Sequence, residues 1–243
     1  MVSKWWDLLF LHLPVDPALV QPLIPPGLTL DLYPDETGEP RAWIGLVPFR
    51  MTAVRPVWSP ELPWLSSFPE TNVRTYVHRE GRDPGVWFFS LDAARWIGCK
   101  AARTFFSLPY WHARMSVART GDEISYRSRR WEGPPASSDV QARLGDPLGI
   151  AAPNTLEFFL IERYLLYSVR RGRLYSGRVW HEPYPLRSAV LLACEESLIE
   201  AAGVPQLPFT HFVFSEAVDV LIYPIQLANT AGSIPAQPGT TRS

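Results

Sequence analysis

The 243 residues carry 47% hydrophobic and 19% charged side chains, the make-up of a globular chain and not of a disordered or collagen-like one. A net charge of −1, from 23 basic and 24 acidic residues, argues against a nucleic-acid binder, which must neutralise many phosphates. At this length one domain buries roughly 70 to 75% of its unfolded surface, so neither a disulfide nor a metal is needed to hold it together.

Residues 5–15 read as a buried strand. The apolar stretch there is short, is interrupted by Asp7 and lacks a small-residue cleavage site, so it is neither a signal peptide nor a membrane span. Asp16-Pro17 fits a helix N-cap followed by proline at the first helical position, opening a short helix to about residue 23 that Pro25-Pro26-Gly27 ends. Apolar runs over 28–33 and 42–51 flank a breaker-rich connection at 34–40 and predict a buried hairpin. Residues 55–69 hold four prolines together with Trp58 and Trp64, which predicts a loop whose aromatics cover the core or a cavity.

From Thr71 to His78 the chain alternates, placing Asn72, Arg74, Tyr76 and His78 on one face of a strand. A turn at 81–85 leads into an apolar strand over 86–91. Asp92 fits the cap of a helix through Phe106, ended by Pro109. Alternation resumes at Tyr110 and puts Tyr110, His112 and Arg114 on one face, with a partner strand over 123–131. Asn154-Thr155-Leu156-Glu157 resembles a capping box and predicts a helix to about residue 169. Arg163 falls on the apolar stripe of that helix, so its guanidinium must pair or reach a polar cavity. Further strands are expected over 173–181, 188–195 and 212–223, with a short helix near 198–202. The whole reads as α+β, mainly antiparallel β, in one domain over 1–226, with residues 227–243 a disordered tail.

Chemical motifs are sparse. The five histidines, at 12, 78, 112, 181 and 211, show no metal-ligand spacing, so no metal is expected. The patterns GxSxG, GxxxxGK[ST] and GxGxxG are absent, which removes the usual warrant for serine hydrolase, P-loop and Rossmann chemistry, and no cofactor is implied. Cys99 and Cys194 make no disulfide framework and fit a reducing cytoplasm. What remains is the polar row on otherwise apolar strands. Asn72, Arg74, Tyr76, Tyr110, His112, Arg114 and Arg163 either face water or line the interior of a barrel, where arginine beside tyrosine and histidine suits a small carboxylate.

Five ordered segments carry a resemblance: Ile24-Pro25-Pro26-Gly27-Leu28; Trp43 through Arg50 (WIGLVPFR); Phe68 through Val77 (FPETNVRTYV); Phe88 through Ala93 (FFSLDA); and Glu162-Arg163-Tyr164 with Tyr167. Together they resemble the YqjF-like family of domains of unknown function, across residues 5–224. That family is similar in fold to the acetoacetate decarboxylase superfamily, which implies a β-barrel domain with a few outer helices and a small-molecule cavity. Acetoacetate decarboxylase forms an imine through a lysine. Its proline-lysine-lysine segment aligns near Leu108-Pro109-Tyr110-Trp111-His112, which holds no lysine, and Lys4 and Lys100 are the only two in the chain.

Schiff-base decarboxylation is therefore disfavoured. The first expectation is a binder of a small organic acid or carbonyl compound. The alternatives are a lysine-independent lyase or isomerase in which His112 or Glu70 moves protons, and a structural or interaction protein without ligand. Homo-oligomerisation is left open, and no nucleic acid or membrane partner is expected.

Overall fold

The computed structural model describes residues 1–55, 67–96 and 107–228. Among them strands dominate. β1 (Val2–Val15) leads through the helix Pro17–Val20 and a 3-10 turn at Gln21–Leu23 to β2 (Thr29–Leu30), β3 (Tyr33–Pro34) and β4 (Pro40–Arg55). There follow β5 (Phe68–Arg79), β6 (Arg82–Ala93), β7 (Tyr110–Thr120), β8 (Glu123–Arg130) and β9 (Ser137–Gly149). After the helix Leu156–Ile161 come β10 (Leu165–Arg170), β11 (Arg173–His181) and β12 (Leu186–Glu196). The helix Leu198–Ala201, β13 (His211–Ile222) and β14 (Gln226–Leu227) end the described chain.

Strand pairing makes one large mixed sheet whose central wall is β13-β1-β4-β5-β6. The wall is joined up twice. On one side β6 pairs with β10, β10 with β11 and β11 with β13, so these pairings return to their starting strand through seven members. On the other, β7, β8, β9 and β12 link β6 back to β13. Two apolar cores follow from this. Leu9, Leu11 and Leu13 of β1 pack with Ile124, Val140 and Leu144 in one, while Leu8 and Phe10 pack with Phe49, Leu166 and Val179 in the other. Period two sends alternate residues of one strand into opposite cores, so the wall strands are apolar on both faces.

Several expectations are corrected. Asp92 caps no helix: it lies in β6, where its backbone pairs with Thr71 and its side chain with Arg130. Most of the expected helix over 93–106, with Lys100, falls outside the described residues, as do Trp58 and Trp64. The second helix stops at Ile161, capped by Thr155 and not Asn154, and residues expected to continue it form β10. β2 pairs with β5 and not with β4, so the expected hairpin is made by β3 and β4. β9 was not anticipated. Leu227 pairs with Tyr175 and the Ala228 amide donates to Leu174 O at 3.0 Å. Residues 229–243 fall outside the described chain. Among the described residues no helix is long and apolar enough to cross a membrane, and no three His, Cys, Asp or Glu side chains are grouped to hold a metal ion.

Candidate functional site

A cavity of about 390 Å³ lies in the second core. Its walls are mostly hydrocarbon, from Leu8 and Phe10 of β1, Val47 and Phe49 of β4, Phe88 and Leu91 of β6, and Leu166 and Val179 of β10 and β11. Into this wall β5 inserts Glu70, Asn72 and Arg74, three successive inward positions of one strand spanning about 13 Å. Tyr110 at the start of β7, Arg163 after the second helix, His181 at the end of β11 and Tyr184 in the connection after it add further polar lining.

The two arginines differ in their partners. Arg163 donates to Asp31 Oδ2 and to Phe159 O, both at 2.6 Å, and its guanidinium stacks 4.3 Å from the Phe159 ring, so its charge is matched. Arg74 is equally secluded, 9% exposed, but makes no carboxylate pair among the described residues. It donates to Leu160 O at 3.2 Å, and its Nε lacks a partner. Asn72 Oδ1 beside it is also buried without a partner. A buried guanidinium without a counter-charge is costly, and an entering anion removes that cost.

At the far end of the row the chemistry reverses. Glu70 accepts from the Tyr110 hydroxyl at 2.9 Å, yet burial, reinforced by the nearby Asp92 charge, pushes its pKa up to about 8. It is thus a neutral, proton-bearing acid near pH 7. Asp92 is raised to about 6 because burial outweighs the Arg130 guanidinium 3.0 Å away. His181 stands 4.5 Å from each of the Tyr164 and Tyr184 rings, and burial lowers its pKa. It therefore contributes a neutral imidazole at pH 7.

Of the residues singled out in the sequence, Asn72, Arg74, Tyr110 and Arg163 come together on this cavity. Tyr76 is fully buried behind Arg74, with its hydroxyl 2.9 Å from His12 Nε2. His112 and Arg114 lie outside it. β7 runs beside β6 only over residues 110–112 and then follows β8, so Arg114 is exposed, 5.3 Å over the ring of Trp131. The His112 amide donates to Glu132 at 3.3 Å. His12, His181 and Tyr184 were not singled out; a lone histidine within the apolar run Leu8–Leu13 was the one signal available for His12. Of the two lysines, Lys4 pairs with Asp219 at 3.9 Å and does not line the cavity, and Lys100 lies outside the described residues.

Residues 2–219 match the family DUF2071, described as an uncharacterized conserved protein. The chain is 36% identical over 229 residues to the uncharacterized protein YqjF of Bacillus subtilis, covering 93% of this chain and 91% of that one. Among solved structures it is similar to the enduracididine biosynthesis enzyme MppR complexed with pyruvate, at 13% identity and a TM-score of 0.61 over 93% of this chain and 89% of that one. It is also similar to acetoacetate decarboxylase from Legionella pneumophila, at 12% identity and a TM-score of 0.61 over 93% and 87%. At these identities the two likenesses show a shared fold.

Proposed function

The chain belongs to the DUF2071 family of YqjF-like proteins, and from the cavity it encloses we propose that it binds a small organic acid or carbonyl compound. We read the returning ring of strands as a barrel around that cavity. The observation that carries the reading is Arg74, a buried cation without a carboxylate partner among the described residues. A ligand carboxylate would take the place of that partner. Its apolar body would lie against Phe10, Phe49 and Phe88, and a carbonyl or hydroxyl oxygen would accept the proton of Glu70. The pyruvate named for the MppR complex belongs to the chemical class that such a site fits.

A second reading, a lysine-independent lyase or isomerase, is favoured by Glu70 itself. A carboxyl held protonated near pH 7 inside an apolar cavity is matched to general acid work. Such an enzyme would turn over an oxo acid, and Glu70→Gln would abolish turnover while preserving binding. Localisation in a reducing cytoplasm is supported by the free thiol of Cys194.

Calorimetry with pyruvate, acetoacetate and longer oxo and hydroxy acids tests binding. A ligand present at one hundred times its Kd should stabilise the fold by about 2.7 kcal/mol. Loss of a charge-assisted pair is worth roughly 1.5 to 3 kcal/mol, so Arg74→Gln should weaken binding about tenfold or more. Equal affinity in wild type and Arg74→Gln would remove the reading.

A further inference from the structure

Register sets four side-chain positions in a row across the wall. His211 of β13 pairs with His12 of β1, His12 with Gly45 of β4, and Gly45 with Arg74 of β5. Directly opposed residues project to one face, so the row runs along a single side of the sheet. Gly45 is its gap. A Cβ there would stand 3.1 Å from His12 Cδ2, 3.2 Å from the Tyr76 hydroxyl oxygen and 3.3 Å from Arg74 Cγ, so the missing side chain is what lets these three groups converge. The contacts continue outward: Tyr76 Oη to His12 Nε2 at 2.9 Å and His12 Nδ1 to His211 Nδ1 at 3.0 Å are hydrogen bonds, while His211 Nε2 makes no hydrogen bond and stands at ion-pair distance, 3.6 Å, from Glu157 Oε1. Tyr76 and His12 are wholly buried, whereas the Glu157 side chain is 37% exposed, so the chain leads from the interior to water.

A direct contact between two Nδ1 atoms requires one to carry hydrogen and the other a lone pair. Two orders satisfy that contact, and the ends choose between them. In the first, the Tyr76 hydroxyl donates to His12 Nε2, His12 Nδ1–H donates to His211 Nδ1, and His211 Nε2–H faces the Glu157 carboxylate. The reverse order sets the His211 Nε2 lone pair against that carboxylate. It also turns the Tyr76 hydrogen towards Arg74 and Arg163, which have only donors to offer. The first order is therefore the stable one, and it leaves the Tyr76 oxygen lone pairs to Arg74, whose charge lowers the phenol pKa against the effect of burial.

We propose that Tyr76, His12, His211 and Glu157 act as positioning residues, a tautomer-locked relay that aims Arg74 into the cavity and lets the proton occupancy of His211 control anion binding there. This deepens the organic-acid reading and rests on it for the ligand. Protonation falls on His211 because Glu157 faces it, while His12 is deeper and lies beside Arg74. Doubly protonated His211 presents Nδ1–H to His12, which must then move its own hydrogen to Nε2. That hydrogen occupies the Tyr76 oxygen, the hydroxyl turns towards the guanidinium, and Arg74 is left with Leu160 O alone as acceptor. Among the described residues the charged groups that face the histidine pair are Arg74 from β5 and Glu157 from the second helix, while Arg163, matched by Asp31, faces Tyr76; β4 contributes Gly45, which carries no charge. Burial, then His211, then Arg74 hold His12 neutral, whereas Glu157 opposes the effect of burial on His211.

Nitrogen-15 NMR of the full chain labelled at histidine and arginine tests the relay without a ligand. At pH 7.5 His12 should be the Nδ1–H tautomer and His211 the Nε2–H tautomer. On acidification His12 should switch to Nε2–H at the pH where His211 becomes doubly protonated, with the Arg74 Nε signal shifting at that same pH. A His12 Nε2–H tautomer at pH 7.5, or histidines that titrate without switching, would overturn the proposal. Pyruvate affinity supplies the second arm: it should fall at least fivefold from pH 7.5 to the protonated state of His211 in wild type and less than twofold in His211→Gln. Glu70, Asp92 and His181 are present in both chains, so the difference between the two profiles reports on His211. Equal pH profiles in the two chains would overturn the proposal; a tautomer switch in a chain that binds no carboxylate would refute the organic-acid reading and keep the relay as an aiming device for Arg74.

Discussion

Glu70 and Arg74 occupy the same strand face two steps apart, yet burial acts on them oppositely: the carboxyl escapes its charge by keeping a proton, and the guanidinium cannot. The consequence for stability has a definite sign. The folded pKa of Glu70, about 8, lies above the ordinary value of 4.5, so the folded state holds a proton that the unfolded state releases. Its stabilising effect is complete below pH 4.5 and is lost as pH rises through 8. Asp92, raised to about 6, adds to it in the lower part of that range, whereas His12, His181 and His211, lowered by burial from 6.5, and the amino terminus, lowered from 8.0, act in the opposite sense because the unfolded chain takes up their protons. The Glu70 contribution is therefore read as a difference: in urea unfolding, stability should fall more steeply with pH between about 6 and 8 in wild type than in Glu70→Gln, by at most about 1.4 kcal/mol per pH unit. An unchanged slope in the variant would show that Glu70 ionises normally. Much of this row was legible in the sequence, because strict alternation over 71–78 fixes which residues share a face. His181 and Tyr184 were not, since they reach the cavity from the end of β11 and the connection after it, where no periodicity operates.

At the scale of elements, β10 shows where pattern reading fails. Leu160, Tyr164 and Tyr167 fit a helical stripe, while Leu166 and Ser168 fit a buried strand face equally well, and six residues are too few to decide. Pairing with β11 and β6 decides it. β9 escaped notice because its buried positions, Ser138, Val140, Ala142 and Leu144, are mostly small, so the alternation carries little hydropathy contrast. The β6–β10 contact is short, Val86 with Leu166 and Trp87 with Tyr167, and it is the step that completes the ring around the cavity. Gly85 permits it: a Cβ at that position would stand 2.8 Å from Leu165 O, a backbone atom that cannot swing aside. Gly85→Ala should destabilise the fold by about 1 to 3 kcal/mol. It should also speed hydrogen exchange at Leu166 and Tyr167 ahead of β1 and β4; uniform exchange would argue that the seam bears no special strain.

Across the whole molecule, polar groups fix what hydrocarbon leaves undetermined. Asp7 interrupts β1 with a positive φ of 52°, at the register shift between Trp6 and Leu11, and is 4% exposed. It pairs with Arg50 of β4 and Arg119 of β7, Arg119 continues to Glu216 of β13, and Glu216 to Arg187 of β12. Because Arg50 and Arg119 reach solvent, Asp7→Ala should cost about 2 kcal/mol, and less at high salt; a salt-independent loss would assign the effect to the bulge itself. The same logic bears on how β1 finds its place while the chain folds. A wall strand with oily side chains on both faces can slide by one residue and still bury nothing but hydrocarbon, so hydrophobicity alone recognises no correct alignment. His12 and Arg74 break that degeneracy. Any one-residue slip would push an imidazole or a guanidinium into the leucine-filled core opposite, and would lose the notch at Gly45, so the polar row also serves as the key that admits only one mating of β1 with its neighbours.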